Sequence, residues 1–250
     1  MTGVTDAALI TAAGVLAGIV GTAGGITSLI SYPALLAAGV PALVANVTNS
    51  VAVAACWPGS ALASRLELEG RGRWLRRWAW VAAAGGAAGA ALLLSTPSQA
   101  FARIVPFLVA AGSIALLAQP WISARFRGRA LDSRPILLAG LLVVSAYNGY
   151  FGAGAGVMTL SLMLVTVDHR MAWANALKNM LIGAASVVSA LAFIIFGPVD
   201  WRAAVPLSVG MLAGSMIGPR VARRVPARIL RWLAALLGLG LAARLWITPA

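Results

Sequence analysis

The stretch GIVGTAGGITSLISYPALLAAGVPALVANVTNS, residues Gly18–Ser50, sets four glycines in an apolar run and follows them with a polar segment. Gly18, Gly21, Gly24 and Gly25 interrupt what would otherwise be one continuous hydrophobic helix, since glycine loses the most conformational freedom on entering a helix. The same succession returns as GYFGAGAGVMTLSLMLVTVDHRMAWANALKN, residues Gly149–Asn179, with Gly149, Gly152, Gly154 and Gly156 at its break. Helix breaks repeated at corresponding points of two halves are a sequence sign of a solute site in a membrane carrier.

The surroundings of both stretches agree with a membrane setting. Apolar residues make up 61% of the 250 residues and charged residues only 10%, which excludes a water-soluble globule of this size. Apolar runs at about 78–96, 98–119, 171–197, 202–219 and 226–247, and a sixth at 41–63, each approach the roughly 20 residues that a spanning helix needs. The flank Met1–Asp6 has one acid and no Lys or Arg, so the first apolar run is expected to be structure rather than a cleaved signal peptide.

The net charge of +13 is concentrated between the apolar runs. Arg65, Arg71, Arg73, Arg76 and Arg77 form one cluster; Arg125, Arg127, Arg129 and Arg134 a second; Arg220, Arg223, Arg224, Arg228 and Arg231 a third. By the positive-inside rule all three are cytoplasmic, with anionic lipid headgroups as their expected contacts. This punctuation is unlike the basic face of a nucleic-acid-binding protein, and no nucleic-acid partner is expected. Cys56 is the single cysteine, which rules out an internal disulfide.

With those clusters inside, the run at 41–63 points inward and its counterpart at 171–197 points outward. Two halves, 1–122 and 132–250 joined by a basic linker at 123–131, then hold five segments each. An odd number per repeat inverts the second copy. The expected fold is an all-α polytopic membrane protein of two inverted-topology repeats, 8–10 helices in all, with both termini outside. Segments 8–21 and 26–38 would each be only ~20 Å long as helices, so each repeat is expected to open with a glycine-broken or re-entrant hairpin. The tips, Thr22–Gly25 and Ala153–Gly156, would meet near the midplane and offer helix-opening amides to an anion. A second reading of the glycines, close helix packing alone, stays open.

The segment after each hairpin is polar on one face. Asn46, Asn49 and Ser50 in the first half, and Asn175, Lys178 and Asn179 in the second, are three and four residues apart. Lys178 is the only lysine and the only cation expected deep in a span. An ammonium there costs at least ~2.5 kcal/mol and calls for a partner. Asp6, Glu67, Glu69, Asp132, Asp168 and Asp200 all fall at expected segment ends, which leaves a bound anion as the counter-charge. Snorkelling to the interface, or bonding to backbone carbonyls, are the alternatives.

Other residues carry less. Cys56 and Trp57 are expected to line the pathway or to fill space, with a kink at Pro58. His169 would sense pH or sit at the interface. Trp74, Trp78, Trp80, Trp121, Trp173, Trp201, Trp232 and Trp246 fall near span ends, as an aromatic belt requires.

On these two quoted stretches the chain resembles the sulfite exporter TauE/SafE family over nearly its whole length. The resemblance implies a bacterial inner-membrane, multi-pass carrier of small sulfur-containing anions such as sulfite, sulfoacetate or related sulfonates. Its glycine break and polar helix correspond to Gly21, Thr22, Gly24, Gly25, Asn46, Thr48 and Asn49. The chain departs from the family pattern at Thr48-Asn49, where Thr-Ser is frequent, and at Leu177-Lys178.

Together these readings predict one anion held at the midplane by Thr22, Gly24, Gly25, Asn46, Asn49, Ser50, Gly154, Gly156, Asn175, Lys178 and Asn179, and moved by alternating access. The alternatives are a passive anion channel on the same fold and a membrane-embedded sulfur-handling enzyme, for which a thiol role of Cys56 is the sole opening. One histidine, one cysteine and no buried carboxylate leave little for catalysis, so no enzyme activity, metal or cofactor is expected.

Overall fold

The computed structural model describes residues 4–125, 134–168 and 170–222, together with positions 232, 235, 236, 239, 240 and 243. Eleven helices and no strand occur among the described residues. The apolar run at 226–247, apart from those six positions, lies outside them, as do His169, Trp246, most of the linker and the arginines at 127, 129, 223, 224, 228 and 231.

The first hairpin consists of α1, Val4–Gly24, and α2, Ser28–Ala37. α1 is longer than the sequence reading of 8–21: its 21 residues continue through Thr22 and Gly24, and the break falls at Gly25–Thr27. Single glycines tax a helix by about 1 kcal/mol each, which packing of α1 on its neighbours offsets. Only at Gly25, with φ of +79°, does the backbone take a form that requires glycine. α1 is therefore long and apolar enough to cross a membrane, whereas the 10 residues of α2 reach only ~15 Å.

The run at 41–63 is two helices, α3 at Ala42–Ala54 and α4 at Cys56–Ala63, interrupted at Ala55. Pro58 is the cause. It has no N–H for the carbonyl of Ala54, and its ring crowds that carbonyl. A single turn, α5 at Arg65–Leu68, leads into α6, Gly72–Leu94, and α7, Ser98–Arg125. The second hairpin is α8, Arg134–Tyr150, and α9, Ala155–Thr166, followed by α10, Met171–Phe196, and α11, Trp201–Ala222.

Among the described residues four helices meet the length and hydropathy of a membrane span: α1, α6, α7 and α10. Leu16, Trp80, Phe107, Val143, Ile195 and Phe196 stand exposed on the outside, as side chains bathed in lipid would. Trp80, Trp121, Trp201 and Trp232 are exposed, but Trp78 is buried and Trp173 lies beneath the guanidinium groups of Arg71 and Arg170.

Helix contacts recur in pairs. α1 packs along α11 and α8 along α6, while α10 packs on α6 and α3 and α4 pack on α11. Small residues make the close approaches: a side chain on Gly18 would meet the Met211 backbone, and one on Gly149 the Gly86 backbone. These two glycines of the repeated motif serve packing.

Candidate functional site

The two hairpin tips touch. A Cβ on Gly25 would lie 2.5 Å from the carbonyl carbon of Gly156, and a Cβ on Gly156 would lie 2.5 Å from the α-carbon of Gly25. Nothing larger than hydrogen fits between them. Tyr147 donates its hydroxyl proton to the Ala153 carbonyl at 2.7 Å, and Phe151 packs edge-on against Tyr32 of α2 at 5.4 Å, so the second tip is clamped from both sides.

Beside this junction is a cavity of about 50 Å³, room for a few waters or one small anion. Gly21, Thr22 and Gly25 of the first hairpin, Gly156 of the second, and Lys178 and Asn179 of α10 line it. Thr27 and Ser28 at the start of α2, Ser60 of α4, Asn148 of α8 and Ser186 of α10 add hydroxyl and amide groups. Cys56 and Trp57 close one wall. No carboxylate lines the cavity among the described residues. The opening amides of α2 are of the kind a helix leaves without an acceptor one turn back, whereas at α9 the Ala155 amide donates to the Gly152 carbonyl at 3.1 Å; both helices begin here with the positive end of their dipoles.

Lys178 is only 1% exposed. Its ammonium donates to the carbonyl of Gly21 at 3.4 Å, so the carbonyl alternative foreseen from sequence is realised in part. That long bond uses one of three N–H groups. The last turn of α1 carries the negative end of its dipole and supplies partial compensation for the cation. Asn175 and Asn179, on the same face of α10, both donate to the Thr22 carbonyl, at 3.0 and 3.2 Å. The end of α1 is thus capped by three side chains of α10.

Thr22 and Gly25 enter the site differently from the sequence reading of a cage of backbone amides. The Thr22 amide is inside α1, and its hydroxyl donates to Gly18 at 2.7 Å. The Gly25 amide donates to Gly21 at 2.6 Å. What these residues present is a helix end and a wall of small volume.

The remaining expected residues stand away from the cavity. Asn46 donates to the Tyr150 carbonyl at 2.9 Å, and Ser50 donates back to the Asn46 carbonyl at 2.9 Å. Asn49 donates to Ser28 at 3.1 Å and accepts from Ser31. Asn175 caps α1 from outside the lining, and Gly24 sits in the last turn of α1 with only Ile26 near it. Gly154, at φ +81°, packs on Gly112 of α7. Ser28, Ser60, Asn148 and Ser186 were not singled out from sequence. Their signal was available as buried polar side chains inside apolar runs, but nothing in the order of residues told which face they share.

On the side of the first basic cluster, Asp168 pairs with Arg71 at 2.7 Å and with Arg170 at 3.0 Å. The hydrogen bonds from Arg170, aided by the charge of Arg71, hold the Asp168 carboxyl at about 2, below its ordinary 3.8.

The chain matches the description "Sulfite exporter TauE/SafE" over residues 7–245. It belongs to the sulfite exporter TauE/SafE family. Its relatives are distant and of full length. A probable membrane transporter protein of Haemophilus influenzae is 27% identical, covering 97% of this chain and 95% of its own. One of Sinorhizobium sp is 26% identical over 94% and 90%, and YfcA of Escherichia coli K12 is 26% identical over 92% and 86%. No solved structure matches the chain significantly. For this TauE/SafE member the cavity at the hairpin junction is where a solute-sized space and a buried charge coincide.

Proposed function

We propose that this protein carries small sulfur-containing anions across the bacterial inner membrane by alternating access, with the cavity at the hairpin junction as its site. One observation carries the reading: a buried ammonium, Lys178, opens onto a small cavity that two helix N-termini face and no carboxylate lines among the described residues. Such a site repels cations and attracts an oxyanion. Asn179, Asn148, Ser28 and Ser186 have the donors to bind sulfonate or sulfite oxygens. Sulfite, sulfoacetate or a related sulfonate follows from family membership, and the volume accords with the smaller of these.

An inverted-topology repeat supports the transport cycle. In its favour are the paired helix contacts, with α1 on α11 answering α8 on α6, and the short second arms α2 and α9 that end at a common junction. In this arrangement 1–122 and 132–250 are the two repeats, the basic clusters face the cytoplasm and both termini face outward. Rocking about the Gly25–Gly156 contact would open the cavity to each side in turn. Trp57 favours a carrier over an open channel, because its indole fills the space beside Gly183 at the cavity wall.

The test is binding of sulfite, sulfoacetate, sulfate, acetate and chloride to the purified protein and to Lys178→Ala, by thermal shift and calorimetry. Stabilisation by one sulfur anion, reduced about 100-fold in affinity in the variant, is expected for loss of a desolvated charge partner. A folded Lys178→Ala protein that binds and transports the anion as wild type does would remove Lys178 from the site.

A further inference from the structure

A second pocket, of about 520 Å³, opens where α6 meets the start of α8 and the end of α9. Arg71, Arg73, Arg77 and Arg134 line it together with Trp74 and Trp78. Arg73 and Arg77 are one helical turn apart on α6, and so are Trp74 and Trp78, so two parallel stripes, one basic and one aromatic, face the same space. Arg134 reaches it from α8, in the other half of the chain. The indoles of Trp74 and Trp78 lie 6.0 Å apart, and Leu137 and Val167 supply an apolar floor.

Among the described residues the charge of this pocket is largely unanswered. Arg71 is paired with Asp168, which lies just past the pocket's edge. Arg73, Arg77 and Arg134 form no ion pair among the described residues. Three exposed guanidinium groups that line one pocket with no carboxylate among the described lining residues repel one another, and an oxyanion with several acceptor oxygens relieves that repulsion while taking forked hydrogen bonds. The tryptophans and the apolar floor place such an oxyanion at an interface, with one side wet and one side in hydrocarbon.

We infer that this pocket binds the phosphate headgroup of an anionic phospholipid, with Arg73 and Arg77 of α6 and Arg134 of α8 on the phosphate and Trp74 and Trp78 beside the glycerol and upper acyl chains. Lipid contact is expected from sequence at all three basic clusters alike; the convergence of two helices with a tryptophan stripe distinguishes this one. The bound headgroup bridges α6 to α8, one element from each half of the chain, next to the Arg71–Asp168 pair that also joins them.

The experiment measures Tm of the purified full-length protein in detergent with phosphatidylglycerol, with phosphatidylcholine, or with inorganic phosphate. Phosphatidylglycerol at about 100-fold excess over its dissociation constant raises Tm by roughly 5–10 °C, and the other two do not. The Arg73→Gln/Arg77→Gln variant loses the shift, while Arg103→Gln on α7 keeps it. If the double variant has a lowered basal Tm, Arg134→Gln, which approaches from α8, loses the shift instead. Equal shifts with phosphatidylcholine, or a shift that survives in both pocket variants, overturn the site. A shift with inorganic phosphate equal to that with phosphatidylglycerol overturns the lipid in favour of a free phosphate.

Discussion

Asn46 donates its side-chain amide to the main-chain carbonyl of Tyr150, at 2.9 Å and 104 residues further along the chain. Asn175, at the matching place in the second half, donates to the carbonyl of Thr22 at 3.0 Å. Each asparagine thereby takes up a carbonyl that the end of a helix leaves without an amide partner, and each does so for the first hairpin arm of the other half. The two side-chain oxygens, buried, have no hydrogen-bond partner among the described residues. The asparagines thus tie the first half of the chain to the second, close to the two tips.

These ties are unequal, and stability measures the inequality. Thr22 keeps a bond from Asn179 when Asn175 is removed, whereas among the described residues no second side chain is bonded to the Tyr150 carbonyl. Asn46→Ala is expected to destabilise the protein by about 1–2 kcal/mol, and Asn175→Ala by about half of that. Denaturant or thermal unfolding in matched detergent gives both values. Equal losses would show that the bonds to Thr22 act independently of each other.

Gly24 and Gly25 are adjacent and should respond oppositely to one methyl group. At Gly25 the added Cβ would strike the Gly156 backbone, and the φ of +79° penalises any side chain. At Gly24 the nearest atom is the Ile26 side chain at 3.9 Å. Gly25→Ala and Gly156→Ala are expected to cost about 2 kcal/mol or more and to abolish transport, since the tips must part. Gly24→Ala, in the last turn of a helix, is expected to be neutral or slightly stabilising. Expression level, Tm and anion uptake of the three variants decide it.

Much of this arrangement could be read from the chain. The repeated glycines located both tips, the three-and-four spacing put Lys178 and Asn179 on one face, and Pro58 announced the break between α3 and α4. The hydropathy runs missed the true length of α1, because glycine-rich sequence scores as a break while packing on α11 holds it helical through Gly24. The site itself was legible only in part. Polar spacing shows that Asn46, Asn49 and Ser50 share a face, but it does not show that helix ends and serines have already engaged their donors. Ser186 and Asn148 reach the cavity through the crossing of α8 and α10, a tertiary relation that neither segment encodes by itself.

Trp57 and Gly183 form a wall that Cys56 can report on. The indole of Trp57 rests where a side chain on Gly183 would be, and Cys56 beside it is buried, with its thiol 3.8 Å from the Met211 carbonyl. Cys56 is the single cysteine, so any thiol label is on it. Trp57→Ala is expected to raise the rate of Cys56 labelling by a small water-soluble thiosulfonate about tenfold, by opening the wall to solvent. Bound anion should slow labelling in both proteins. An unchanged rate in Trp57→Ala would mean that the indole only fills space.

Asp168 joins the two halves at the expected cytoplasmic face through Arg71 before α6, and within its own half it is held by Arg170 before α10. Its carboxyl is held at about 2, below the ordinary 3.8, chiefly by the hydrogen bonds from Arg170. A depressed carboxyl stabilises the folded state above its unfolded value and ceases to do so as pH falls through its folded value. The contribution is therefore complete at neutral pH and fades between about pH 4 and pH 2. Asp168→Asn is expected to have a lower Tm than wild type at pH 6, and the difference should shrink to a small remainder by pH 2. Added salt should shrink it as well, because Arg170 is exposed and its pairing is screened. Thermal unfolding of both proteins from pH 6 to pH 2, at low and high ionic strength, is the measurement. A difference independent of pH would assign the effect of the substitution to packing and leave the ion pair without a part in joining the halves.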